Sequence, residues 1–321
     1  MIDRICIPVG DGLSEVEEVL SSELVSGIDT IDSITRYVVK NGGKRIRPAL
    51  FLLSSRVAGA QGFPRQAAAI EMLHTASLLH DDVVDDAPVR RGLPSARARW
   101  GNQVSVLVGD FLLSRASRIF VEGGNLRLLL AVTEAIGSTT EGELLEIAHQ
   151  NDAETDADTY MRIIRGKTAA LFALAARAPA ITSALGAALE GALEDFGLGI
   201  GQAFQLTDDA LDYVADERLT GKASGTDLRE GKLTYPLIAA LARAPAEERS
   251  VIRNALIAGR STPDEFRRIA DIIIKHGGIE ATLDLARDIA DKAKDKLAAF
   301  KPSIERDALA ALADYAVDRR E

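Results

Sequence analysis

Aromatic side chains are scarce in this chain, at 5% of its 321 residues, and proline occurs only ten times. Sheet-rich folds draw on aromatic and β-branched residues and on dense turn punctuation, so this composition, rich in Ala and Leu, favours helices. A single cysteine, Cys6, excludes an internal disulfide and fits a reducing cytoplasm. No apolar run reaches the ~18 residues of a membrane span. The most apolar stretch, Ala169 to Leu193, is interrupted by Arg177 and Pro179 and reads as a packed pair of interior helices. The first ten residues carry Asp3 and Arg4 without a long apolar core, so neither a signal peptide nor a membrane anchor is expected. Positive charge is in deficit too: 38 Lys and Arg against 48 Asp and Glu leave a net charge of −10, which argues against a nucleic-acid surface.

What the chain does have is a hydrophobic fraction of 47% with helical spacing, ample for a core. Apolar residues recur three and four apart from Val16 onward, punctuated at Asn41-Gly42-Gly43, Gly59 to Pro64, Gly123-Gly124-Asn125 and Gly277-Gly278. That pattern predicts about ten to twelve helices and no strands. With no linker and no composition shift, residues 1–321 read as a single all-α domain, a helical bundle around a central cavity.

Two acidic clusters interrupt buried helix: Asp81-Asp82-Val83-Val84-Asp85 and Asp208-Asp209-Ala210-Leu211-Asp212. In each, the first and last aspartates are i and i+4 neighbours, so their carboxylates share a helix face about 6 Å apart. Unpaired carboxylates repel and are costly to bury, so a cation is expected, and oxygen-only ligands select a hard ion such as Mg²⁺. The first cluster ends a stripe of Ile70, His74, Ser77, Asp81 and Asp85. The second continues Gln205 with Asp208 or Asp209 and then Asp212. Magnesium held by few carboxylates usually also holds phosphate.

Basic residues stand beside glycines in several places: Lys44, Arg45 and Arg47 after Gly42-Gly43, then Arg90-Arg91-Gly92 and Gly166-Lys167-Thr168. Lys222 in Gly221-Lys222-Ala223-Ser224-Gly225 and Lys232 after Gly231 complete the set. Glycine lets backbone amides and side chains approach an anion closely. None of these segments is a P-loop or a dinucleotide fingerprint, and the implied ligand is diphosphate.

Seven ordered segments give the chain its resemblance to the trans-type polyprenyl diphosphate synthases, of the octaprenyl kind. They are Asn41 to Pro48, Glu71 to Asp86, Arg90-Arg91-Gly92, Trp100-Gly101-Asn102 with Val108 to Phe111, Gly166 to Ala169, Phe204 to Tyr213, and Gly221 to Leu237. The resemblance implies head-to-tail condensation of isopentenyl diphosphate onto an allylic diphosphate, farnesyl or geranyl, by a homodimer. Asp81, Asp85, Asp208 and Asp212 would hold Mg²⁺, with Asp82 in the same catalytic cluster. Lys44, Arg47, His74 and Arg91 would hold isopentenyl diphosphate; Arg90, Lys167, Thr168, Gln205, Lys222 and Lys232 would hold the allylic partner. The Lys167 carbonyl, Thr168 and Gln205 would stabilise the allylic cation. The resemblance also implies that the small residues Ala76 and Ser77, five and four positions before Asp81, would leave a channel open for a long product of about eight isoprene units, within about six to ten. Such a product suits hand-over to a membrane enzyme, as for a quinone side chain.

A short-chain farnesyl or geranylgeranyl diphosphate synthase is the alternative within this chemistry. A di-iron carboxylate bundle is a remote one, prompted by Glu71-x-x-His74 and Glu146-x-x-His149. It leaves both aspartate clusters unexplained.

Overall fold

The structure, a computed structural model, describes residues 2–40, 42–60, 62–214, 225–258 and 262–319. Helices α1 (Gly10–Glu23), α2 (Asp29–Lys40), α3 (Ile46–Val57), α4 (Pro64–Val84), α5 (Asn102–Glu122), α6 (Leu126–Ala148) and α7 (Ala157–Ile164) follow in order. Then come α8 (Ala170–Thr182), α9 (Ala187–Val214), α10 (Tyr235–Arg243), α11 (Ala246–Ala258), α12 (Pro263–Lys275), α13 (Gly278–Lys296) and α14 (Ile304–Asp318). These exceed the ten to twelve expected because short breaks do not interrupt apolar periodicity. One such break divides the apolar stretch Ala169 to Leu193 later than its proline suggested. Helix α8 runs through Pro179 and stops where Ala184 and Gly186 take positive φ, with Leu185 N–H donating back to Ala180 in the manner of a left-handed helix cap.

Local sequence explains several helix starts. Pro64 opens α4, where its missing N–H has no helical partner to lose. Thr262 and Glu265 form a reciprocal capping box that opens α12.

The chain divides into two compact units. One gathers Met1–Glu134, Leu171–Gly197 and Leu297–Leu312; the other gathers Ala135–Ala170, Leu198–Lys296 and Ala313–Glu321. Their segments alternate along the chain, which is why no linker-like composition marks their limits. In the first unit, α4 packs most extensively on α5 and also against α1 and α3. Ala67 to Leu73 are all buried, the charged Glu71 among them, so this stretch of helix is enclosed on every side. Phe51, Phe120, Phe172 and Phe196 fill this core. The second unit is built on Tyr213, Leu237, Ile252, Leu256, Ile269 and Ile273, with a further cluster of Tyr160, Ile164, Leu206 and Ala286.

Among the described residues strands are almost absent: β1 (Val89–Arg90) pairs antiparallel with β2 (Leu93–Pro94). Arg91 and Gly92 between them have φ 53° and 75°. Both central residues are left-handed, the requirement of a two-residue hairpin turn that follows strand twist. Among the described residues no helix is long and apolar enough to cross a membrane.

Candidate functional site

In the first unit, the aspartates of the first cluster sit at the end of α4 with unequal surroundings. Asp82 is buried and accepts from Arg90 Nε at 2.5 Å. Burial outweighs that guanidinium and holds the Asp82 pKa above its ordinary value. Asp82 therefore ties the helix to the β-hairpin. Asp81 and Asp85, one helical turn apart, are only partly buried, and the Asp85 N–H donates to the Asp81 carbonyl as the helix closes.

Cations gather nearby, around His74 on the same helix. Arg45 adopts φ 51° and pairs with Glu17 at 2.5 Å and Glu71 at 3.0 Å. Arg47 lies 4.4 Å above the Phe172 ring, and its Nε is buried without a hydrogen-bond partner. Burial lowers the Arg47 pKa to about 10 against the opposing pull of Glu71. His74 is driven well below the usual histidine range, first by burial and then by Arg47, Arg91 and Arg90, so it is neutral at physiological pH. Glycine permits this crowding: a Cβ on Gly43 would stand 2.9 Å from the Arg91 guanidinium. An excess of positive charge facing one neutral imidazole, with an orphaned guanidinium N–H, is the signature of an anion site. Lys44 is exposed beside it.

The second unit holds the other cluster, on α9. Asp209 is buried and accepts from Tyr160 OH at 2.5 Å and from Gln205 Nε2 at 2.7 Å. Thr168 Oγ1 donates to Gln205 Oε1 at 2.7 Å, so Gln205 links Thr168 to Asp209. Asp212 accepts from the backbone N–H groups of Thr226 and Asp227 at 3.2 and 3.1 Å. Of the alternatives Asp208 and Asp209, Asp208 is the one that remains open; 45% of its side chain is exposed, and Arg319 lies 3.3 Å away. Burial away from water pushes Asp209 up to about 7, and raises Asp212 and Asp227 as well, with their mutual repulsion adding to it.

Lys167 projects from a five-residue π-helical segment, Arg165–Ala169, between α7 and α8, a distortion common at functional sites. It bridges Glu143 at 2.7 Å and Glu146 at 2.5 Å, while Lys232 reaches Glu146 at 3.3 Å and Glu230 at 2.8 Å. Burial would raise the Glu146 pKa, but the two lysines outweigh it and hold Glu146 ionised. Lys222 lies outside the described residues.

Asp209, Asp212 and Asp227 are therefore held above the ordinary carboxylate range, first by burial and then by neighbouring carboxylates, while Asp208 stands beside them in a more open position. A hard divalent ion suits that donor set. Among the described residues no three His, Cys, Asp or Glu side chains already converge on one ion, so water and phosphate oxygens would complete the coordination, the habit of Mg²⁺. The glutamates of the di-iron motifs are engaged otherwise: Glu71 holds Arg45, and Glu146 holds Lys167 and Lys232. His149 pairs with Asp152 at 3.2 Å.

Sequence reasoning missed the roles of Tyr160, Asp227, Glu143 and Arg319. Asp227 lies within the quoted segment Gly221 to Leu237, two residues after Gly225, and that was the available signal. Arg319 offered none, standing 111 residues from its partner Asp208.

An all-helical frame carrying two i, i+4 aspartate pairs and a cation cluster defines a class, and comparison with known proteins agrees: residues 28–273 match the family Polyprenyl synthetase. The chain belongs to that family and is a trans-type prenyltransferase that builds a polyprenyl diphosphate. It is 39% identical to an octaprenyl diphosphate synthase of Haemophilus influenzae over 99% of this chain and 97% of that one. It is 37% identical to an all-trans-nonaprenyl-diphosphate synthase (geranyl-diphosphate specific) of Rhodobacter capsulatus, over 98% and 97%. Among solved structures, a polyprenyl synthase from Caulobacter crescentus CB15, complexed with calcium and isoprenyl diphosphate, is similar with a TM-score of 0.96 and 41% identity, covering 100% of this chain and 98% of that one.

Proposed function

We propose that this prenyltransferase, acting as one domain over residues 1–321 and as a cytoplasmic homodimer, condenses isopentenyl diphosphate head to tail onto farnesyl or geranyl diphosphate. The product is a long all-trans chain of about eight isoprene units, in line with the octaprenyl and nonaprenyl synthases it resembles. The observations that carry the reading are a carboxylate-rich helix face within each unit and a basic cluster beside the one in the first unit. In the second unit Asp209, Asp212 and Asp227 crowd one another, and in the first the Arg47 Nε is buried without a hydrogen-bond partner, so a cation and an anion respectively would relieve them.

Asp81, Asp85, Asp208 and Asp212 would hold Mg²⁺, whose charge would make the allylic diphosphate a better leaving group. Arg90, Lys167, Lys222 and Lys232 fasten that diphosphate. Lys44, Arg47 and Arg91 fasten isopentenyl diphosphate, and neutral His74 donates one hydrogen bond without adding charge. Thr168, Gln205 and the Lys167 carbonyl turn oxygen dipoles toward the allylic cation. Asp82 acts through Arg90 and keeps the hairpin in place. The departing diphosphate takes the final proton. Ala76, buried, and Ser77, whose hydroxyl is folded back onto the His74 carbonyl at 2.9 Å, keep the path for the growing tail narrow-walled yet open. Exposed apolar residues support a homodimer: Leu107 and Val121 on α5 are 65% and 58% exposed, Leu126 and Leu130 on α6 80% and 58%.

The test is substitution of one ligand from each cluster. Asp81→Asn and Asp208→Asn each lower turnover by about a hundredfold or more while helical circular dichroism stays unchanged. Turnover at wild-type level in either variant, or wild-type turnover that persists in chelator, would overturn the assignment.

A further inference from the structure

Arg319 follows directly on helix α14 and turns onto α9. Its Nη2 donates to the Phe204 carbonyl at 2.7 Å and to Asp208 Oδ1 at 3.3 Å. The guanidinium carbon stands 3.5 Å from the centre of the Phe204 ring. The side chain is only 7% exposed. A flexible surface ion pair of this length would do little. This one is different, because the ring and the carbonyl hold the planar guanidinium in place independently of Asp208. Asp208 is the more exposed partner. Its Oδ1 is tied back, and its Oδ2 has no protein hydrogen bond among the described residues.

We propose that Arg319 is a positioning residue that presets the Asp208 carboxylate, with Oδ1 restrained and Oδ2 presented to a divalent cation bearing diphosphate. This rests on the assignment of Asp208 as a metal ligand. Two effects oppose each other. A nearby positive charge repels the incoming ion, whereas a hydrogen bond to the ligand's outer oxygen fixes its orientation before the ion arrives. The guanidinium is seated on the Phe204 ring and carbonyl and reaches Asp208 only at Oδ1, so repulsion of an ion at Oδ2 is the smaller effect. Restraint dominates, and loss of an outer-shell partner of this kind costs tenfold or more in ion affinity.

The experiment titrates Mn²⁺ into the full chain in the presence of inorganic diphosphate, reading free Mn²⁺ by electron paramagnetic resonance. Arg319→Ala weakens Mn²⁺ binding about tenfold. Arg319→Lys keeps the charge without the flat stacking surface and falls between, which serves should the alanine variant lose its fold. In an Asp208→Asn background, Arg319→Ala changes nothing further. Equal or tighter binding in both single variants overturns the proposal, as does a further loss in the Asp208→Asn background. A wild-type chain that takes up no Mn²⁺ with diphosphate would instead sink the metal assignment beneath it.

Discussion

Ala76 and Ser77 differ in how they tolerate change. Ala76 is 3% exposed, so a phenylalanine there must displace packed neighbours at about 1–3 kcal/mol. Ser77 is only partly buried and makes a local bond to its own helix, which makes it the cleaner probe. Ser77→Phe should shorten the product to about fifteen to twenty carbons with condensation retained; product length by mass spectrometry checks this, and an unchanged length contradicts the open-channel account. At this scale the acidic pattern was legible in the sequence, because i, i+4 spacing fixes which side chains share a helix face. The partner of each acid was not. That Asp82 meets Arg90, Asp209 meets Tyr160, and Asp208 meets Arg319 depends on tertiary placement. Other polar residues act close to home: Ser95 caps the short helix Ala96–Trp100, Arg97 pairs with Asp86, and Thr207 donates to the Ala203 carbonyl.

Helix-level geometry turns on contacts that only glycine allows. A Cβ on Gly142 of α6 would stand 2.3 Å from the backbone nitrogen of Lys167, and one on Gly166 would stand 2.6 Å from the Ser138 carbonyl oxygen. Backbone lies against backbone here, and no flexible side chain can yield. Ala in place of Gly gains up to about 1 kcal/mol in helix propensity. The clash costs about 1–3 kcal/mol, so the net effect is destabilising and also shifts the π-helical segment that carries Lys167. Gly142→Ala should lower the urea midpoint and raise KM for the allylic diphosphate more than KM for isopentenyl diphosphate; equal stability and unchanged KM values would contradict the close-approach role. Glycine beside lysine was visible in the sequence, but the reason for Gly166 was not, since its neighbour Gly142 lies in another helix. The left-handed pair Arg91-Gly92 was also hidden, because an arginine in that conformation runs against local preference and is fixed by the hairpin.

For the molecule as a whole, composition carried the fold class: few aromatics, few prolines and helical apolar spacing left an all-α bundle as the consistent solution. Its two-unit organisation escaped notice because the segments interleave and leave no mark in composition. The net charge of −10 argues against one class of ligand at long range, yet Arg45, Arg47 and Arg91 crowd together locally. Charge distribution thus decides the partner where net charge does not. The central claim is that these charged faces serve stepwise elongation to a long chain. The most direct measurement incubates the protein with farnesyl diphosphate, excess isopentenyl diphosphate and Mg²⁺, and reads the dephosphorylated product by mass spectrometry. The account predicts one main product of about forty carbons, absent without Mg²⁺; a product that stops at fifteen to twenty carbons, or one that forms equally without the ion, would contradict it.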